Sequence, residues 1–157
     1  GVKANIQIVD LAALVKDAVE LYAAVAEVKQ IALVAEQGDP LTVLADRDML
    51  FQAITNLLDN AIKYTQATGS VRVKAVKKGA AAEIIVADNG PGIPADEYDS
   101  VVQRFYRLDK SRNTTGSGLG LSLVDAVAKV HHASLVFSDN NPGLKVTLSF
   151  RHSTGVE

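Results

Sequence analysis

Cysteine and tryptophan are absent from this 157-residue chain, methionine occurs once, and aromatic residues make up only 5% of it. The missing cysteine excludes disulfides, thiolate catalysis and thiolate metal centres, makes a zinc site unexpected, and permits a reducing compartment. No charge of one sign prevails, since 16 Lys and Arg stand against 18 Asp and Glu for a net charge of -2. A protein that grips a nucleic-acid backbone needs a basic excess, so nucleic acid is not an expected partner. No uninterrupted apolar run approaches the roughly 20 residues that span a bilayer, and the opening residues form no secretory signal. No membrane contact by this stretch is expected, although a membrane segment of a longer parent could precede it. What is present is a 48% hydrophobic content, enough at this length to close one core. A single domain over 1–157, with a frayed tail at 152–157, is the expectation.

Periodicity supplies the elements. "VDLAALVKDAVELYAAVAEVK" carries apolar residues at helical spacing behind Asp10, a candidate N-cap. "IALVAE" and "LTVLA" are short strand-like runs separated by Gly38-Asp39-Pro40. A second helix is predicted from Asp46 to about Thr65. "SVRVKAV", a turn at Lys77-Lys78-Gly79 and "AAEIIVAD" form a hairpin. A loop-rich region from Asn89 to Gly116 follows, broken by a short helical piece around "EYDSVVQRFY". A third helix covers "SGLGLSLVDAVAKV", and a hairpin turning at Asn140-Asn141-Pro142-Gly143 closes the chain. Mixed rather than strictly alternating elements predict an α+β fold, with helices layered on one face of a mixed sheet.

Three stretches carry chemistry. On the second helix, Ile54, Leu57, Leu58, Ala61 and Ile62 make an apolar stripe, while Asn56, Asn60 and Lys63 lie opposite, with Tyr64 at the edge. Asn is a poor helix former, and two of them one turn apart in a helix interior need a reason. One reading is a merely solvated face; the other is a row of amide oxygens beside an ammonium, suited to a hard cation and the polyphosphate it accompanies. Second, "ADNGPGIP" places Asp88 at the end of an apolar strand, ahead of Gly90 and Gly92. Third, Gly116, Gly118 and Gly120 precede the third helix, where free amides and the helix dipole favour an anion. Their spacing fits neither the dinucleotide fingerprint nor a P-loop, and an unliganded flexible turn is the competing reading. Between them, "RFYRLDKSRNTTG" clusters Arg104, Arg107, Lys110 and Arg112. These cations suit either a solvated loop or a lid over bound phosphates.

In order, "NLLDNAIKYT", "DNGPGIP", "RFYR" and "GSGLGLSLV" resemble the N, G1, F and G2 boxes of the ATP-binding catalytic domain of bacterial sensor histidine kinases. That domain belongs to the superfamily shared with Hsp90-type chaperones, type II topoisomerases and MutL-type repair proteins. The resemblance covers essentially the whole chain. It implies a two-layer α/β sandwich, a mixed sheet of about five strands backed by three main helices, with ATP between the helices and a lid. It makes Asp88 the adenine reader, because a carboxylate accepts from the exocyclic amine of adenine and repels the carbonyl of guanine. Gly90 and Gly92 would let the backbone approach the base, and Ile93 would pack near it. Asn60 resembles the Mg2+ ligand, with Asn56 beside it, and Lys63 and Tyr64 would reach phosphates and nucleotide. Arg107 and Arg112 match lid cations on the terminal phosphates. Gly116, Ser117, Gly118 and Gly120, with the amides of Leu119 and Leu121, would hold the phosphate chain. The catalytic set implied is Asn56, Lys63 and Arg107.

The resemblance also implies what the chain does with ATP. Hydrolysing members of the superfamily place Glu where Asn56 stands, and an amide cannot take a proton from water, which favours transfer to another acceptor. The family's acceptor is a histidine on an upstream dimerisation segment, and His131, His132 and His152 lack its setting. The expected partners are therefore that histidine-bearing domain and, downstream, a response regulator. A monomeric fragment in the cytoplasm, from a parent that can be anchored in the inner membrane, completes the expectation. The F box departs from the family pattern at Val102 and Gln103, where Phe and an acidic residue are usual. Three other functions compete with the kinase: a nucleotide-responsive binding module, a protein-serine kinase acting on an anti-sigma partner, and an independent ATPase, which Asn56 disfavours.

Overall fold

The computed structural model describes residues 3–103 and 120–151; the expected tail at 152–157 lies outside the described residues. Its elements among the described residues are β1 (Ile6–Asp10), α1 (Leu11–Val28), β2 (Ala32–Ala35), β3 (Thr42–Asp46), α2 (Arg47–Tyr64), β4 (Ser70–Lys78), β5 (Ala81–Asp88), α3 (Gly120–Val130), β6 (Ser134–Asp139) and β7 (Leu144–Arg151), with a 3-10 turn at Ala95–Glu97.

Local chemistry starts and stops the helices. Asp10 caps α1, its Oδ1 accepting from the Ala12 amide at 3.0 Å and from Leu41 N at 3.2 Å, so one carboxylate serves both the helix and the adjoining chain. At the other end Gln30 adopts φ 62°, while Gln30 N and Ile31 N return to the carbonyls of Glu27 and Ala26, both at 2.9 Å. This is a Schellman closure built without glycine. Asp46 caps α2 through the Met49 amide at 3.0 Å. The carbonyls left over at the end of α2 are met from outside the helix, because Lys29 Nζ donates to Ile62 O and Lys63 O, each at 2.7 Å. A cation there satisfies two orphan carbonyls and complements the helix dipole. Replacing Lys29 with Met keeps the aliphatic stem and removes the charge. It should lower stability by about 1.5 kcal/mol, read as a lower urea midpoint at unchanged slope.

The main sheet has the order β2-β4-β5-β7-β6, with β2 parallel to β4 and the remaining neighbours antiparallel. Strand alternation sorts its two faces. Val71, Val73 and Ala75 on β4, Ala82, Ile84 and Val86 on β5, and Leu144, Val146, Leu148 and Phe150 on β7 are buried. Arg72, Lys74, Glu83, Lys145 and Thr147 occupy the opposite positions. The buried face meets Leu14, Val15 and Ala18 of α1, Ile54, Leu57, Leu58, Ala61 and Ile62 of α2, and Val124, Val127 and Ala128 of α3 in one core. The fold is thus a two-layer α/β sandwich with three helices on one face of a mixed five-stranded sheet, as expected.

Three details differ from the periodicity reading. An additional strand, β1, pairs antiparallel with β3 in a separate two-stranded ribbon. Ile6, Ile8 and Leu44 of that ribbon are exposed and only Val9 of β1 is buried, so β1 shows no buried alternation to betray it. The first hairpin turns at Gly79-Ala80, with Lys77 and Lys78 still in β4. The helical piece around "EYDSVVQRFY" is the 3-10 turn at Ala95–Glu97 followed by turn hydrogen bonds from Ser100, Val101 and Gln103; its remainder from Arg104 lies outside the described residues.

His131 has a structural task. Its Nδ1 lies 2.8 Å from Val127 O, which can only accept, so Nδ1 carries the proton and Nε2 accepts from Asp46 N at 3.0 Å. The neutral ring thereby ties the end of α3 to the start of α2, edge-on to Phe150.

Candidate nucleotide-binding site

Asp88 falls in phase with Ala82, Ile84 and Val86 on β5, so alternation turns its side chain to the helix-covered face of the sheet. It is 8% exposed, one of few buried polar residues. Its Oδ1 accepts from Gly90 N at 2.9 Å and from Leu144 N at 3.1 Å. Oδ2 accepts from neither, and among the described residues no other donor meets it. Burial pushes the carboxyl above its ordinary range, and the two amides partly offset that rise. The result is a carboxylate fixed by one oxygen and presenting the other.

The end of α2 lies directly over the loop that follows Asp88. A Cβ at Gly90 would come 2.9 Å from Tyr64 O and 3.3 Å from Thr65 Cα, so glycine is required where helix and loop touch. Gly92 has φ +75°, and a Cβ there would stand 3.0 Å from Gly143 O. Ile93 packs against the core. Asn56, Asn60, Lys63 and Tyr64 are all half-buried, on the side of α2 away from its fully buried stripe. No hydrogen bond among the described residues engages the side chain of Asn56 or Asn60. An open cleft of about 570 Å³ lies between the end of α2 and the loop, lined by Lys63, Tyr64, Thr65, Asn89, Gly90 and Pro91 among others. Thr65 Oγ1 is buried in that region with no hydrogen-bond partner. Asp88, Asn56 and Asn60 are not in the cleft's wall, so it adjoins the carboxylate rather than enclosing it.

Of the remaining expected residues, Leu121 is buried in the core, which leaves only its backbone for a ligand. A Cβ on Gly120 would meet nothing within 4 Å. Arg107, Arg112, Gly116, Ser117, Gly118 and Leu119 lie outside the described residues. Leading up to that segment, Val101 is buried and Val102 packs against the core, so the chain is anchored by aliphatic side chains although Phe is missing from position 102.

The residues present fit a nucleotide and its metal. A glycine-permitted close approach, a buried carboxylate with one available oxygen and two unengaged amides match a base and a phosphate-borne cation. Among the described residues no three His, Asp or Glu side chains cluster to hold a metal alone, so a metal here would depend on the phosphates for most of its charge.

Three contributors escape the sequence. Asn140 donates from Nδ2 to Asp88 O at 2.7 Å, Leu144 supplies an amide to its carboxylate, and Gly143 leaves room for its carbonyl. They stand 52 to 56 positions further along, and nothing local in "DNNPGL" announces the meeting.

Comparison with known proteins agrees with the geometry. Residues 45–154 match the model for histidine kinase-, DNA gyrase B-, and HSP90-like ATPases. The chain is 36% identical over 148 residues to the sensor-like histidine kinase SenX3 of Mycolicibacterium smegmatis, covering 92% of this chain and 38% of that protein. It therefore spans well under half the length of this curated relative. Among solved structures, full-length ShkA in complex with AMPPNP superposes with a TM-score of 0.84 at 26% identity, over 96% of this chain and 32% of that one. The ATP-binding domain of PrrB from Mycobacterium tuberculosis superposes with a TM-score of 0.76 at 25% identity, over 93% and 96%. The chain belongs to the histidine kinase-, DNA gyrase B- and HSP90-like ATPase family, as a domain of the kind that sensor histidine kinases carry.

Proposed function

We propose that this domain binds Mg-ATP and passes the γ-phosphoryl group to a histidine on a separate dimerisation domain, from which a response regulator receives it. The observation that carries this reading is Asp88, buried at the end of β5 with Oδ1 held by two amides and Oδ2 left for a donor. The exocyclic amine of adenine is such a donor, and guanine presents an acceptor at the same place. Gly90, Gly92 and Ile93 border the base, Tyr64 flanks it, and Asn56, Asn60 and Lys63 follow the chain of phosphates along α2. Mg2+, held by Asn60 and by phosphate oxygens, would neutralise charge on the phosphates. By the family resemblance, Arg107, Arg112 and Gly116 through Leu119, which lie outside the described residues, would complete the cradle together with Gly120 and the backbone of Leu121 at the start of α3.

In the transfer, an imidazole nitrogen of the acceptor forms the bond to the γ-phosphorus as the bond to the bridging oxygen of ADP breaks. The work left to the protein is alignment and charge stabilisation. Asn56 supports transfer over hydrolysis, because its amide cannot serve as base toward water. No helix among the described residues is long and apolar enough to cross a membrane; a cytoplasmic setting follows from the need for ATP, the parent being free to carry an anchor elsewhere. Joining the domain to a two-helix dimerisation segment with its histidine, and supplying labelled ATP, should give acid-labile phosphohistidine that a response regulator removes. ATP binding without any such product would reduce the domain to a nucleotide-responsive module.

Acid should weaken adenine binding. The folded Asp88 carboxyl is raised above its ordinary value, so on lowering the pH it takes up a proton earlier than a free carboxylate and its acceptor strength drops. Kd for an adenine nucleotide should therefore rise as pH falls into the range just above the ordinary carboxylate pKa, and Asp88→Asn should flatten that part of the profile.

A further inference from the structure

The β5–β7 ladder ends at the pair Ala87 and Lys145, and in continued register Asp88 would stand opposite Leu144. Two of the backbone groups of that next pair, Leu144 N and Asp88 O, meet side chains. Leu144 N donates to the Asp88 carboxylate at 3.1 Å, and Asp88 O accepts from Asn140 Nδ2 at 2.7 Å. Gly143 sits wedged against the same peptide, since a Cβ there would fall on Asp88 O and within 2.9 Å of Asn89 Cα. The turn that brings these groups in is itself closed, with Asn140 N donating to Gly143 O at 2.9 Å and Asn141 N to Asp139 Oδ1 at 3.0 Å.

We infer that the β6–β7 turn is a working part of base recognition, and that Asn140 is a positioning residue that sets the aim of the Asp88 carboxylate toward the amine of the base. The inference rests on the assignment of Asp88 as base reader. The physical reason is that Asp88, the last residue of its strand and followed by a segment with two glycines and two prolines, is held on the β4 side by its pairing with Val71 and by Asn89 N on Ser70 O at 3.2 Å, whereas on the β7 side the ladder has ended and Asn140 meets its carbonyl. On its β7 side Asp88 is held by two donors, Leu144 N at the first residue of β7 on its carboxylate and Asn140 Nδ2 from the turn on its carbonyl. A carboxylate accepts well only when a lone pair points at the donor, and small misalignments at a recognition site cost affinity disproportionately. Asn140 touches no part of the base itself, and its effect passes through Asp88.

The test compares ATP with purine riboside triphosphate, which has the same phosphates and lacks the 6-amino group, on the wild-type domain and on Asn140→Asp and Asn140→Ala. Asn140→Asp keeps the size of the side chain but replaces the donor with an acceptor that faces Asp88 O; Asn140→Ala is the second variant should that repulsion unfold the turn. Wild type should prefer ATP by at least about 10-fold, as a hydrogen bond to a charged group implies. In the variants that preference should shrink about 5-fold or more, with the affinity for purine riboside triphosphate nearly unchanged. A variant that is folded and keeps the full preference, or that loses affinity for both nucleotides equally, overturns the positioning role. Absence of any preference in the wild type overturns the base-reading assignment itself, and the inference falls with it.

Discussion

Asp88→Asn is expected to weaken binding of an adenine nucleotide about 30-fold to 100-fold while leaving the fold intact. The magnitude is that of a hydrogen bond to a charged acceptor in a site sheltered from water, about 2–3 kcal/mol. The fold survives because the amide oxygen can still accept from Gly90 N and Leu144 N, the two donors that hold Oδ1. Stability should even rise slightly at neutral pH. A carboxyl whose folded pKa is raised costs stability above that pKa, since the folded state holds its proton more tightly than the unfolded chain does. Removing the charge removes that cost. Calorimetric titration for affinity and a thermal melt for stability separate the two effects; a parallel loss of both would mean that Asp88 serves the fold and not the ligand.

Gly143→Ala is expected to be the most damaging single-methyl change at the site, destabilising the domain by about 3 kcal/mol or more. Two causes combine. The added Cβ would collide with Asp88 O and crowd Asn89 Cα, all backbone neighbours with little freedom to give, and Gly143 holds φ +110°, where an L side chain is strained. Gly79, with φ +60° and nothing within 4 Å of a Cβ, is the internal control: Gly79→Ala should cost about 1 kcal/mol, because only the backbone strain applies. Urea unfolding of the two variants side by side distinguishes collision from strain. Equal losses would mean that the turn yields freely and does not brace Asp88.

Much of this architecture is legible in the sequence because the residues that write it act locally. Asp10 and Asp46 cap helices within three residues of themselves, and the alternation of β5 and β7 is dictated by a core on one side and water on the other. Asp88 stands out for the same reason, a charge placed in the buried phase of an apolar strand. What could not be read depends on distant partners. β1 leaves Ile6 and Ile8 exposed, so its pairing with β3 rests on backbone hydrogen bonds that carry no side-chain signature. Lys29 looks like one more solvated helix-end cation until the end of α2 is brought beneath it. Asn140 looks like an ordinary turn residue, and only the register of β5 against β7 brings it to Asp88.

The site's division of labour follows from the layers. The sheet fixes the carboxylate through the phase of β5, the helix layer offers the unengaged amides of Asn56 and Asn60, and Gly90 occupies the place where the loop meets the end of α2. On the proposed function, such an arrangement would separate recognition of the base from handling of the phosphates. Changes to Asn60 and Lys63 should therefore lower affinity for any nucleoside triphosphate alike, whereas changes around Asp88 should alter which base is accepted.

The most direct measurement is calorimetric titration of the unaltered domain, in the presence of Mg2+, with a nonhydrolysable ATP analogue and separately with its GTP counterpart. Saturable one-to-one binding of the adenine nucleotide, with the guanine nucleotide at least about 10-fold weaker, is the predicted result. Equal binding of both, or none by a folded domain, would contradict the central claim that Asp88 and the end of α2 form a working adenine-nucleotide site.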